Sequence, residues 1–373
     1  MILLDISSNP WLDAIARLGV VALLLPLSVI VLTWLERKVI GRMQQRLGPM
    51  RVGPWGLLQG FADTIKLLTK EDVRPTSADR WTFELAPFVV VVPVIMAIVA
   101  LPFTADILVR NMALGLFYIL AVSSLSIVGF VMAGWGSDNK YALLGGVRAG
   151  AQLISYEVPL LLSVVAIAML GQTLNLLLIV EYQDDTPWIV YQPLGFIIFC
   201  IAGLAELYRQ PFDIPVAESE VVGGATVEYS GIRWSMFQLA EFASLVLISV
   251  LASLIFLGGW IWPFNSDLDI WAQVMLMLIK TTSFIIFFMW MRGSMPRLRI
   301  DQLMVLCWQI LIPFTFLQIV INGLVLVYEW PDWTLVVLSG AAATALVGVV
   351  YQAARRSGSI AQPTAAQRVG GVL

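Results

Sequence analysis

Apolar runs of about twenty residues recur along this chain, separated by shorter polar stretches, and about twenty residues is what an α-helix needs to cross the ~30 Å hydrocarbon core of a bilayer. Nine spans are expected: 12–35, 86–104, 112–134, 153–173, 190–208, 236–259, 271–291, 304–327 and 333–352. The expected fold is therefore all-α and polytopic. It has a single transmembrane domain over 1–352 and a small, polar, flexible tail over 353–373. No internal repeat is visible, unlike the inverted repeats of many transporters. One polar stretch has its own pattern. In 54–70, Leu57, Leu58, Phe61, Ile65 and Leu68 fall on one helical face, and Gln59, Asp63, Lys66 and Lys70 on another. This segment is too short and too charged to span. It suits a helix opened by Pro54 and lying at the membrane interface, where a plain surface anchor would read the same way.

Composition sharpens this picture. The 373 residues are 59% hydrophobic and 13% charged, against about 25% charged in soluble proteins. Mean hydropathy is +0.87. A soluble enzyme, a disordered chain and a disulfide-stapled domain are excluded, and a net charge of −3 gives no basis for nucleic-acid binding. All of the 22 basic residues except Arg17, Arg110 and Lys280 fall in the first long loop, in alternate later connections and in the tail. That bias predicts an outside N-terminus and a cytoplasmic C-terminus. Residues 1–19 lack the basic start of a signal peptide and are expected to belong to the mature chain. There is no histidine, so haem ligation through His is excluded. Cys200 and Cys307 sit in apolar runs without metal-site spacing and read as small core residues. Gly146 and Gly150 form a GxxxG suited to close helix approach.

Ionisable residues inside spans carry the functional signal. Glu157, Glu206 and Glu241 are expected in the cytoplasmic halves of spans four, five and six. A loop with Asp213, Glu218, Glu220 and Glu228 runs between the last two. Charges at bilayer centre cost about 2.5–3.5 kcal/mol on insertion scales, so such residues usually face a cavity or a partner. The set points to a proton path. Taken singly, Glu206 and Glu241 also read as hydrated interfacial acids paired with Arg209 or Arg233. Lys280 lies mid-span, where a partner acid is expected.

Several motifs lie in one order along the chain. Glu36-Arg37-Lys38, Arg46-Leu47-Gly48-Pro49, Gly53-Pro54, Gly56 to Asp63, Lys66 and Lys70-Glu71-Asp72 occupy the first loop. Arg148 to Glu157 follows, then Ala205-Glu206, Pro211-Phe212-Asp213, Glu228-Tyr229-Ser230 and Asp301-Gln302-Leu303. Over roughly 14–330 this pattern resembles the H-subunit family of bacterial NADH:quinone oxidoreductase, respiratory complex I, and its mitochondrial counterpart, NADH dehydrogenase subunit 1. The resemblance implies a membrane component of a proton-translocating enzyme, inactive alone, in the bacterial inner membrane. It implies quinone as substrate, no cofactor or metal in this chain, and iron–sulfur clusters on partner subunits. The implied partners are the peripheral-arm subunits, small membrane subunits and antiporter-like subunits. It assigns Glu36, Arg37, Phe61, Asp63 and Thr64 to a quinone tunnel. It assigns Glu157, Glu206, Asp213, Glu218, Glu220, Glu228 and Glu241 to an acidic proton-coupling funnel, with Lys280 added as the mid-span cation. Arg37 also reads as a snorkelling residue, and Phe61 as part of the apolar face.

Two positions depart from the family pattern. Val216 stands where an acid is common, and Ala225 where an aromatic is common; both are expected in the loop facing the quinone headgroup. Two other classes remain open at this level. One is the membrane anchor of an energy-converting nickel–iron hydrogenase, which shares versions of the first-loop motif. The other is a stand-alone proton or cation antiporter, against which the amphipathic first loop argues.

Overall fold

The computed structural model describes residues 10–183, 186–262 and 268–360. Helix α1 spans Pro10–Met43, the interfacial helix α2 spans Gln59–Thr69, and α3 spans Arg80–Val99. The third span is broken into α4 (Gly115–Ser123) and α5 (Ser126–Gly136). Helix α6 is long, Lys140–Gly171, and short α7 (Leu176–Glu181) and α8 (Trp188–Tyr191) follow it. Helix α9 covers only Pro193–Glu206, and α10 is the single turn Glu218–Val221. The remaining helices are α11 (Gly231–Leu257), α12 (Ile270–Ser294), α13 (Ile300–Val305), α14 (Ile312–Val327) and α15 (Trp333–Ile360). A π-helical turn, Leu306–Leu311, joins α13 to α14 just before Pro313, which has no N–H to give to the ladder.

Among the described residues eight segments are long and apolar enough to cross a membrane, and the fifth expected span is α9, a shorter apolar helix. The chain is an all-α polytopic membrane protein. The interfacial helix forms as expected, but Pro54 opens a separate 3₁₀ turn, Pro54–Gly56, ahead of it. Residues Leu57, Leu58, Phe61, Ile65 and Leu68 are all exposed, whereas Gly60 packs directly on Ile30 of α1. An apolar stripe turned away from the rest of the chain suits immersion at a lipid boundary. Residues 361–373 of the expected tail lie outside the described residues.

Close approach through small residues organises the bundle. A Cβ on Gly134 of α5 would lie 2.9 Å from Gly146 Cα of α6, so the two backbones meet there. Helix α11 is the most enclosed span. An uncharged network ties α15 to its neighbours. Ser339 donates to Gln318 Oε1 (2.9 Å), Gln318 donates to Asn322 Oδ1 (2.9 Å), and Asn322 and Gln192 both donate to the Ala166 carbonyl (2.7 and 3.0 Å). All four side chains are buried.

Candidate functional site

The site is built where α9 stops short. Fourteen residues at 1.5 Å each give about 21 Å, less than the ~30 Å apolar core. The chain therefore leaves helical geometry after Glu206, and its freed backbone groups need partners inside protein. Gln152 of α6 supplies two hydrogen bonds, donating through Nε2 to the carbonyls of Ala205 (2.7 Å) and Phe212 (2.8 Å). The Leu298 amide donates to the Pro211 carbonyl (3.1 Å), and the Phe212 amide to that of Arg209 (2.8 Å).

This irregular segment presents Arg209, whose side chain is fully buried. Its Nη1 donates to Glu36 Oε2 at 2.5 Å. Its Nε lies 3.3 Å from Glu241 Oε1, an ion pair without hydrogen-bond alignment, and its guanidinium lies over the Phe242 ring, 4.8 Å from the centroid. The second carboxylate oxygen of Glu36 pairs with Arg292, near the end of α12. Four charges from α1, the α9 exit, α11 and α12 thus form one chain: Arg292, Glu36, Arg209, Glu241. A buried carboxylate is tolerated when paired and hydrogen-bonded in this way.

The other expected acids also have positioned partners. Asp213 accepts from Arg297 Nη2 (2.9 Å), and Arg297 Nη1 donates to Ser219 Oγ (3.0 Å). Glu220 pairs with Arg148 of α6 at 2.6 Å, and Glu228 accepts from Asn139 Nδ2, also at 2.6 Å. Glu218 is exposed on α10. Glu157 lies within electrostatic reach of Glu206 and beside Ser124, at the break between α4 and α5. Glu206, Glu241, Ser123 and Ser126 line one small cavity.

The quinone-tunnel set divides. Glu36 and Arg37 line an open cavity of about 350 Å³ with Arg46, Leu47, Pro49 and Gln59. Arg37 Nη1 donates to Asp63 Oδ2 (2.7 Å), tying α1 to the interfacial helix. Gln59 donates to the other oxygen of Asp63 (3.1 Å). Burial pushes the Asp63 carboxyl up, but the bonds from Arg37 and Gln59 and the charges of Arg37 and Lys66 outweigh it and hold it below the ordinary carboxylate range. Phe61 and Thr64 do not line that cavity; Phe61 is exposed, and Thr64 bonds back to the Gly60 carbonyl (2.9 Å).

Three sequence expectations need correction. Helix α6 begins at Lys140 rather than near 153, so Glu157 lies near the middle of its helix and not at its end. Among the described residues Lys280 donates to two backbone carbonyls, Leu257 (2.6 Å) and Ile261 (2.7 Å), rather than to an acid. It satisfies the open carbonyl end of α11, where a cation is favoured by the helix dipole. Arg233, weighed as a partner for the span acids, pairs with Asp72 instead (2.9 Å). Ala225 is 3% exposed and packs in a core cluster with Phe83 and Tyr229. Sequence reasoning also missed the roles of Gln152, Arg292 and the Ser123–Ser126 break. The run Ser-Ser-Leu-Ser inside an apolar stretch was the available signal. Among the described residues no group of three or more Cys, Asp or Glu is placed to hold a metal ion.

The family model for NADH dehydrogenase matches residues 16–323, which include every candidate residue above. The H subunit of NADH-quinone oxidoreductase from Brevibacillus brevis is 47% identical over 296 residues, covering 79% of this chain and 88% of the relative. The chain belongs to the H-subunit family of NADH-quinone oxidoreductase. Another member, from Dehalococcoides mccartyi, is 41% identical over 343 residues, 92% of this chain and 95% of that one. A third, the second H subunit of Rhizobium etli, is 45% identical over 321 residues, 84% and 92% respectively. As a membrane component of complex I, this chain has other subunits of that complex as partners. Seen in that family, the Arg209 chain of charges is the feature that joins what motif reading kept apart. Glu36 belongs to the tunnel assignment and Glu241 to the funnel assignment, and one guanidinium contacts both.

Proposed function

We propose that this chain forms much of the quinone-access path of a proton-translocating NADH:quinone oxidoreductase and passes charge changes from that path to acids within the membrane. The partners that carry iron–sulfur clusters reduce the quinone, and this chain holds no redox centre of its own. The tunnel residues are Glu36, Arg37, Phe61, Asp63 and Thr64. The coupling residues are Glu157, Glu206, Asp213, Glu218, Glu220, Glu228 and Glu241, with Lys280 fixing the far end of α11. The N-terminus faces outward and the C-terminus the cytoplasm, in the bacterial inner membrane.

What carries this reading is the contact of Arg209 with both Glu36 and Glu241. With all four groups ionised, Arg292, Glu36, Arg209 and Glu241 sum to zero charge. A proton added to either glutamate leaves a net positive charge in a weakly screening interior, where it is costly. Proton uptake is therefore favoured when a negative charge arrives beside Glu36, as a quinone becomes reduced. When that charge leaves as neutral quinol, the added proton is destabilised and moves on toward Glu241 and Glu206.

The test is the intact complex in proteoliposomes, with quinone reduction and proton uptake measured together in Glu206→Gln and Glu241→Gln. Reduced pumping is the expected result. Wild-type coupling in both variants would sink the proposal.

A further inference from the structure

Between α3, α5, the end of α9 and α11 lies a cavity of about 20 Å³. About 10–15 Å³ of such space suffices for one water molecule, provided two to four polar groups face it. Here Glu206, Glu241, Ser123, Ser126, Ser244 and Tyr208 supply them. Tyr208 reaches this lining by an uncommon route. Its backbone is left-handed, with φ 51°, a conformation a bulky residue adopts only when its surroundings impose it. Its ring stands edge-on to Phe130 at 4.7 Å between centroids. Its hydroxyl is shielded from solvent and makes no hydrogen bond to the described residues. A buried hydroxyl without a partner is destabilising, so a strained backbone that places one here points to a use for the group.

We propose that Tyr208 is a positioning residue that holds one water between Glu206 and Glu241. This rests on the reading of those two glutamates as proton carriers. The phenol donates its hydrogen bond to one lone pair of the water oxygen, which leaves the other lone pair to accept from the protonated carboxyl and a water hydrogen to donate to the ionised one. Transfer then balances simply. The Glu241 carboxyl gives its proton to the water oxygen, and the same water gives one of its own protons to Glu206. One O–H bond breaks and one forms at each end, the water is regenerated, and Tyr208 keeps its proton throughout.

The test compares Tyr208→Phe, Tyr208→Ala, Tyr208→Asn and Glu206→Gln in the intact complex in proteoliposomes, in H₂O and D₂O. Losing one buried hydrogen bond of about 1 kcal/mol is a factor of about five. Tyr208→Phe keeps the ring on Phe130, so about fivefold slower pumping is expected, with a larger solvent isotope effect. Tyr208→Asn, which can still hold a water, is expected within about twofold of wild type. Equal wild-type pumping and isotope effect in Tyr208→Phe, with loss only in Tyr208→Ala, would reduce the residue to ring packing and overturn the inference. Wild-type pumping in Glu206→Gln would instead overturn the proton-carrier reading beneath it. If Tyr208→Phe fails to assemble, the isotope effect of Tyr208→Asn decides: a value raised as far as that of Tyr208→Ala overturns the inference, and a near-normal one upholds it.

Discussion

Replacing Arg209 by Met removes one cation from between two carboxylates. The Nε to Glu241 separation of 3.3 Å corresponds to a gross attraction of about 5 kcal/mol at an effective dielectric constant near 20. Desolvation offsets much of that in the wild type, but it is not recovered when only one partner goes. Glu36 still has Arg292, so the uncompensated charge falls on Glu241. The expected penalty is near the lower end of the range for broken buried pairs, about 3 kcal/mol. Removing both charges, as Arg209→Met with Glu241→Gln, leaves no unpaired ion and is expected to cost about 1–2 kcal/mol less than the sum of the single changes. The assay is thermal unfolding of the purified complex in lipid nanodiscs, read at a tag on this chain. Each 1 kcal/mol shifts Tm by roughly 2–4 °C for chains of moderate size, so Arg209→Met is expected to fall by about 6–12 °C. A shift under about 1 °C, or strictly additive single and double variants, would refute the ion-chain argument.

Asp63 is held below the ordinary carboxylate range, so its contribution is present above the unfolded value of about 3.8 and lost as pH falls through the lower folded value. Amide exchange in α2, corrected for intrinsic rates, is expected to rise relative to neighbouring segments on acidification below about pH 4. In Asp63→Asn that pH step should vanish. The pair is partly exposed, which limits the effect to about 0.2–1 kcal/mol. Lys280→Met strands the Leu257 and Ile261 carbonyls and is expected to cost about 1–3 kcal/mol in the same unfolding assay, with Lys280→Gln recovering part of it. Gly145→Ala places a Cβ 2.4 Å from Gly224 Cα, a backbone clash that should displace the loop carrying Glu228. A loss of about 1–3 kcal/mol and weakened crosslinking between cysteines placed at 139 and 228 would register it.

The spans were legible because the bilayer dictates length and apolarity, and the interfacial helix because its stripe has a 3.6-residue period. Helix ends were less so. Helix α6 starts well before its apolar run, with Ala142, Gly145, Gly146 and Ala149 buried against neighbours and Leu143, Leu144 and Val147 exposed, and this puts Glu157 at mid-helix. The break in the third span was hidden because hydropathy averages over three serines. Partners were least legible of all. That Arg209 would turn inward and Arg233 toward Asp72 depends on where the chain unwinds after Glu206, which is set by a Gln152 side chain from another helix. Lys280 found peptide carbonyls because a helix end close by offered them, and a sequence search for opposite charges has no means of seeing that.

The brevity of α9 also bears on leakage. From Pro193 to Ala205 the helix carries apolar residues with one buried thiol, Cys200, and its far end abuts the Gln192, Gln318, Asn322 and Ser339 network. Amides and a hydroxyl do not take up or release protons in the biological range. If Glu206 carries a proton as proposed, that proton meets an electrical insulator along its own helix, and its open direction is sideways, toward Glu157 and Glu241. On that reading, protons gathered at one end of α9 find no short circuit through it.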